Sequence, residues 1–334
     1  MRIFRHFTDL PPKARHCVVA LGNFDGVHHG HQHVIRTAGS IAHDLGAPHT
    51  VMTFEPHPRL LFNPDHPPFR LTSLRTKAHC IESLGVDSLF VLHFDRAFSS
   101  LSAEDFISQI LCDALAVRHV VTGYDFVFGH GRKGNPDLLF RMATEKGFGF
   151  TCVDKSVDPN GEAYASTIIR TYLENGNPAR AAELLGRPWE IEGRVVKGDQ
   201  RGGELGFPTA NVHFDDYLVP AFGVYAVRAG IDHGAGTHWH DGVANLGIRP
   251  TFGGDKAVLE VHLFDFEGNL YGQHLRVAMM DYLRPEKKFD GIEGLKAQIA
   301  VDAGLAKDLL ANMPPPHADG DMLPPSAGQG DEKE

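Results

Sequence analysis

Across the first 155 residues, short apolar runs alternate with segments of helical spacing, and that alternation leaves few folds open. CVVAL (17–21), HTVMTF (49–54), SLFVLHF (88–94), HVVTG (119–123) and GFTCV (149–153) have the composition of buried strands. Strands separated by helix-length segments pair in parallel, because each crossover returns the chain to the same end of the sheet. Phe106, Ile107, Ile110, Leu111, Ala114 and Leu115 fall on one helical face, as a helix packed on such a sheet requires. The expectation is an α/β domain with a Rossmann-like sheet.

The texture then changes. Residues 166–185 have the pattern of two short helices divided by a turn at Asn175–Pro178, and from Trp189 the chain becomes β. Segments near 190–196, 208–213, 222–231, 238–246, 257–266 and 273–283 are rich in valine, aromatic residues and glycine turns, at the spacing of a small antiparallel β-barrel. A closing helix carries an apolar stripe of Ile292, Leu295, Ile299, Ala303 and Leu310. Residues 313–334 hold too little apolar surface to offset ordering entropy and are expected to be disordered. At 334 residues the chain exceeds one ordinary core. Two domains are expected, 1–186 with a helical linker at about 166–186, and 187–312.

Charge and hydropathy limit the partners. With 42 acidic against 32 basic side chains the net charge is −10, which repels nucleic acid over most of the surface. No run approaches the roughly 20 apolar residues needed to span a bilayer, and the apolar run at 17–21 is too short for a signal-peptide core. A cytoplasmic protein acting on small molecules, without nucleic acid or membrane and as a monomer or weak oligomer, is expected. Cys17, Cys80, Cys112 and Cys152 show no C-x-x-C spacing and are expected to be buried, reduced thiols.

The first chemical constellation follows the first strand directly. In GNFDGVHHGH (22–31), Gly22 and Gly26 permit a tight turn and a helix begins near Gly30. A helix amino terminus at that place offers free N–H groups and a positive dipole end to phosphate. His28 and His31 can donate hydrogen bonds to charge growing on a transferring phosphoryl group. A metal site among His28, His29, His31 and His33 is the competing reading, but no nearby carboxylate or cysteine completes a ligand set. Pro56, His57 and Pro58 lie in the loop after the second strand, where open α/β sheets bind ligands and where a structural turn would also serve. GYDFVFGHGRKGN (123–135) contains G-x-G-x-x-G at Gly129, Gly131 and Gly134. It is not a dinucleotide fingerprint, which should open the first βαβ unit directly after its strand.

The second constellation is GRVVKGDQRGGELGFPTANV (193–212), a glycine-rich loop leading into a strand. Backbone N–H groups at Gly198 and Gly206 can contact nucleotide oxygens, and the Thr209 hydroxyl and Asn211 carbonyl are hard oxygen ligands suited to Mg²⁺. A hairpin loop entering a strand is the plainer alternative.

Taken together, the strings resemble a known family. GNFDGVHHGH resembles the FAD synthetase branch of the H-x-G-H nucleotidyltransferases. GFPTAN resembles riboflavin kinase, as do FGVYAV, GVANLGIRPTFGG, LEVHLFDFEGNLYG and LRPEKKFDGIEGLKAQIAVD, so the likeness runs nearly to Asp302. The resemblance implies a bifunctional flavin-cofactor enzyme that takes riboflavin to FMN and FMN to FAD with ATP and Mg²⁺. It implies that Gly22, Phe24, Gly26, Gly30, Gly123 and Asp125 contact ATP, that Pro56, His57, Pro58, Phe126 and Phe128 contact flavin, and that Glu260 is the kinase base. YASTIIR (164–170) is similar to the family's S-S-T-x-x-R element, with Ser166, Thr167 and Arg170 retained for the triphosphate but Ala165 and Ile168 departing from it. Gly203 departs where the family often has arginine. Three alternatives stay open: a kinase whose adenylyltransferase is weakened, a flavin-sensing binding module, and another H-x-G-H enzyme.

Overall fold

The described residues of this computed structural model are 1–198, 206–214, 216–232, 236–251, 254–314 and 316. The expected disordered tail lies outside them apart from Met313, Pro314 and Pro316, as do residues 199–205 of the glycine loop, Gly203 included. The chain forms two compact units, one of Met1–Pro67 and Lys77–Tyr164, the other of Pro68–Thr76 and the chain from Ala165. Helices expected to link the domains therefore group with the second unit.

The first unit contains β1 (Arg2–Phe4), β2 (Val18–Leu21), α1 (His29–Leu45), β3 (His49–Glu55), α2 (Leu74–Glu82, whose first residues belong to the second unit), β4 (Ser88–His93), α3 (Phe106–Ala114), β5 (His119–Gly123), α4 (Pro136–Lys146) and β6 (Gly149–Val153). Its sheet has the order β1-β4-β3-β2-β5-β6 and every pairing is parallel. From β2 the chain builds outward to β3 and β4, then returns to lay β5 and β6 on the other side. The carboxyl ends of β2 and β5 thus flank a topological switch point. β2 is 0–1% exposed along its length, as a central strand covered on both faces must be. The stripe expected around residues 106–115 is buried apart from the half-buried Ala114, but α3 is π-helical, with the Leu115 N–H bonded to the Ile110 carbonyl at 3.0 Å. Of the four free cysteines, Cys17 and Cys80 are buried, Cys112 partly so, and Cys152 is exposed on the last strand, where the apolar run reaches the sheet edge.

His49, at the start of β3, is buried with Nε2 3.0 Å from the Ile35 carbonyl and Nδ1 3.3 Å from the Gly85 carbonyl. Burial pulls its pKa below the usual histidine value, outweighing the two carbonyls and Asp87, which favour the proton.

The second unit contains α5 (Ser166–Glu174) and α6 (Pro178–Leu185), then β7 (Trp189–Val196), β8 (Ala210–Val212), β9 (Gly223–Asp232), β10 (Thr237–Thr251), β11 (Gly254–Leu263), β12 (His274–Pro285) and α7 (Ile292–Ala311). The strands close into an antiparallel barrel of order β10-β11-β8-β7-β12-β9. Val224 and Ala226 on the outer face of β9 meet Ala306 and Leu310 of α7, so Tyr225 and Val227 point into the barrel. Pro68–Thr76 packs within this unit. The Leu71 carbonyl accepts from Trp189 Nε1 at 2.8 Å, Thr76 Oγ1 donates to Glu192 at 3.1 Å, and Arg75 pairs with Glu192 and Asp232 at 3.0 and 2.9 Å.

The apolar stripe expected on α7 holds for Leu310, which is buried, and for Leu295, Ile299 and Ala303, which are half-buried, but not for Ile292, which is 65% exposed; Asp302 and Ala306 are the further buried positions. The helix is fastened through its second half. Arg284 Nη2 meets Asp302 Oδ2 at 2.6 Å, and Arg228, 6% exposed, donates to the Leu310 and Met313 carbonyls at 2.7 and 3.0 Å and to the Pro314 carbonyl. A buried guanidinium bonded to the last carbonyls of a helix both caps the end and opposes its dipole. Among the described residues no helix is long and apolar enough to cross a membrane.

Two outcomes are expected. Arg228→Met leaves the helix-end carbonyls without their donor and lowers the stability of the second unit by about 3 kcal/mol in urea unfolding. His49 binds protons more weakly folded than unfolded, so its contribution is complete above about pH 6.5 and declines as pH falls below that value. Melting temperatures should drop between pH 7 and pH 5, and the drop should be smaller in His49→Asn.

Candidate active sites

The loop between β2 and α1 sits at the switch point of the first unit. Phe24, Gly26 and Val27 adopt φ of 49°, 85° and 45°, so two residues with side chains occupy the left-handed region. Such strain persists only where the surroundings hold it. Here the Asn23 carbonyl accepts from Thr53 Oγ1 at 3.0 Å and from the buried Lys77 ammonium at 2.9 Å. The Phe24 ring folds back over Gly22 and meets the edge of His31 at 5.4 Å. At 2% exposed, it shapes the loop from within.

His28 is the N-cap of α1, its Nδ1 accepting the His31 N–H at 3.3 Å, and the two rings stack with centroids 3.6 Å apart. A neutral His28 ring with Nδ1 accepting carries its proton on Nε2. A Cβ on Gly30 would lie 3.2 Å from the His28 ring and from the Tyr164 carbonyl, so a side chain there would crowd the cap. Among the described residues no group of three or more histidine, cysteine or acidic side chains is arranged to hold a metal.

Around this loop the carboxyl ends of the neighbouring strands supply the other expected residues. His57 caps the short helix Pro58–Phe62, accepting the Arg59 N–H at 3.2 Å, and Pro56, His57 and Pro58 are partly buried. Gly123 ends β5, with Asp125 exposed just beyond it. Phe126 stacks on Phe128 at 5.6 Å, and the aromatic series continues through Phe106 to Phe98 and Phe54 at 5.4, 6.2 and 5.7 Å. Two of the glycines that follow, Gly129 and Gly134, are explained by packing. A Cβ on Gly129 would lie 2.7 Å from the Ala103 backbone and one on Gly134 2.7 Å from the Phe128 ring, which agrees with rejecting a dinucleotide fingerprint.

Ser166, Thr167 and Arg170 belong to the second unit. Ser166 opens α5 and Thr167 is exposed in its first turn. Arg170 Nε donates to the Phe69 carbonyl at 2.8 Å, and its guanidinium lies 5.3 Å from the Phe69 ring centroid. Ala165 occupies the N-cap of α5 with no side-chain bond. The departure from serine there removes a helix cap.

In the barrel the register brings the second constellation together. Glu260 on β11 is directly opposite Asn211 on β8, so the two side chains share the outer face with Cβ atoms roughly 5 Å apart. Asn211 is 5% exposed, and its side-chain carbonyl oxygen has no hydrogen-bond partner among the described residues. A Cβ on Gly198 would overlap the Asn211 amide, so the chain leaving β7 passes against that side chain only as glycine. Gly206 has a φ of 85° in the approach to β8. Thr209 is partly buried beside a cavity of about 130 Å³ that Phe266, Leu270 and Tyr271 also line.

Sequence reasoning missed Lys77 and the cavity. A lysine four residues before the buried Ile81, on the inner face of α2, was the available signal. The cavity left no signal, since its lining comes from separate segments.

Comparison with known proteins follows these two halves. The FAD synthetase family model matches residues 10–168 and the riboflavin kinase family model residues 185–310. The bifunctional riboflavin kinase/FMN adenylyltransferase of Pseudomonas fluorescens is 42% identical over 93% of this chain and 98% of its own length. The proteins of that description from Escherichia coli (strain K12) and Bacillus subtilis (strain 168) are 42% and 41% identical over 88% and 89% of this chain and 93% of each of theirs. A solved structure described as a macrolide-efflux protein from Streptococcus pneumoniae has 31% identity and a TM-score of 0.80, covering 93% of this chain and 99% of that one. With both halves matched in order and nearly the full length of these relatives covered, the chain belongs to the bifunctional riboflavin kinase/FMN adenylyltransferase family.

Proposed function

We propose that this chain makes flavin cofactors in two steps, phosphorylating riboflavin to FMN with ATP and then adenylylating FMN to FAD with release of pyrophosphate. The cross-strand pairing of Glu260 with Asn211 carries this reading, because it sets a carboxylate base beside a buried, unpartnered hard oxygen. In the kinase step Glu260 takes the proton of the ribityl 5′-hydroxyl as that oxygen attacks the γ-phosphorus, and ADP leaves. Thr209 and Asn211 would hold Mg²⁺, whose contribution is to neutralise charge on the ATP phosphates. Backbone N–H groups at Gly198 and Gly206 serve the same phosphates, and the cavity beside Thr209, lined by Phe266, Leu270 and Tyr271, is of a size to take a purine base.

In the second step an FMN phosphate oxygen attacks the α-phosphorus of ATP in line. Gly22, Gly26 and Gly30 bring the backbone of the β2–α1 loop to the phosphates, and His28 and His31 donate to the developing charge. Phe24 supports that loop, Gly123 and Asp125, at and just beyond the end of β5, serve ATP, and Ser166, Thr167 and Arg170 supply two hydroxyls and a guanidinium suited to phosphate oxygens. Pro56, His57, Pro58, Phe126 and Phe128 form the flavin side. The division between the activities falls near residue 186, beside the start of the riboflavin kinase match at 185. We place this work on small molecules in the cytoplasm, in a monomer or weak oligomer that binds neither nucleic acid nor membrane; the net charge of −10 opposes contact with polyanions.

Chromatography of riboflavin, ATP and Mg²⁺ incubated with the protein should show FMN first and FAD after it. Glu260→Gln should lower FMN formation by about 10²- to 10⁴-fold while converting supplied FMN to FAD at the normal rate, and His28→Ala should do the reverse. Equal loss of both activities in a folded variant would overturn the assignment of separate sites.

A further inference from the structure

The register of the barrel extends the kinase site by one strand. Glu260 lies between two partners, Asn211 on β8 and Asn245 on β10, so the three side chains form a row across the outer face. Adjacent strands are about 4.8 Å apart. Asn245 is exposed, sits in a strand where asparagine is disfavoured, and makes no side-chain hydrogen bond among the described residues. Its neighbours Ala244 and Leu246 are buried in the barrel, so the fold accounts for them and not for Asn245. Two residues on, along the same outer face, a Cβ on Gly247 would overlap the Glu286 carboxylate and lie 3.4 Å from Asn245 Nδ2, so the surface beside Asn245 is polar.

We infer that Asn245 binds a secondary hydroxyl of the ribityl chain of riboflavin. The inference rests on the reading of Glu260 as base and Asn211 as the metal and phosphate side. In-line transfer sets the attacking and leaving oxygens on opposite sides of the γ-phosphorus. The alcohol therefore reaches Glu260 from the side away from β8, and its remaining hydroxyls run over β10. Asn245 is the first polar side chain on that path, and its amide can both donate to and accept from a hydroxyl.

The test compares riboflavin with its 2′-, 3′- and 4′-deoxy analogues, using the full chain and Asn245→Ala. Asn245→Ala is expected to raise KM for riboflavin about tenfold, one hydrogen bond's worth, with KM for ATP and the pH profile of kcat unchanged. An unchanged KM for ATP in the kinase step checks that the barrel of the variant is folded. Wild-type protein should lose about tenfold in kcat/KM on one deoxy analogue, and Asn245→Ala should lose nothing further on that analogue. An unchanged KM for riboflavin, losses that multiply on all three analogues, or a displaced pH profile would overturn the inference, the last by showing that Asn245 acts through Glu260. Glu260→Gln separates the two levels. If it phosphorylates riboflavin at the normal rate, the reading of the site fails; if its rate falls as expected while Asn245→Ala is silent, only the present inference fails.

Discussion

The antiparallel register between β8 and β11 is the constraint on which the kinase half depends. β8 has three residues, paired to β7 on one side and to β11 on the other. Because side chains alternate with a period of two, a slip of one residue would turn Asn211 into the barrel and expose Ala210 and Val212. The hydrophobic cost of that exchange keeps Asn211 beside Glu260. Packing of the core and alignment of the reacting groups are thus one choice of register.

The first unit reaches a comparable end by different means. Its phosphate loop has no ladder to hold it, and two of its non-glycine residues sit at positive φ. The compensation is the Asn23 carbonyl, which takes one donor from β3 and one from a lysine buried to 3% exposure. An ammonium removed from water needs such acceptors. Burial therefore supports the loop and ties α2 to it.

Much of this could be read beforehand, for identifiable reasons. Interior strands were legible because their residues are apolar on both faces, and the barrel strands because their alternation is broken by glycine turns. β1 was not, since three residues, two of them exposed, carry no period. The π-helical winding of α3 was hidden because its stripe fits an α-helix equally well. On α7 the eye followed hydrophobicity, whereas Asp302 is buried by its bond to Arg284, an ionic reason that no apolar stripe reports. At the sites, residue types were readable and neighbours were not. Asn211 and Glu260 are separated by a long stretch of sequence, and only the register makes them adjacent. The burial of Lys77 follows from its helix face, which the sequence around it does not single out.

Pro68–Thr76 has a consequence for the order of assembly. The Leu71 carbonyl and Trp189 are 118 residues apart in sequence, and bacterial-scale synthesis at about 5–20 residues per second separates their appearance by roughly 6 to 24 s. During that interval the segment has left the ribosome while the barrel it packs against has not been made. The segment therefore waits for partners that are made only after the first unit is complete. Completion of the second unit then closes a contact of long sequence separation, the kind that slows folding most.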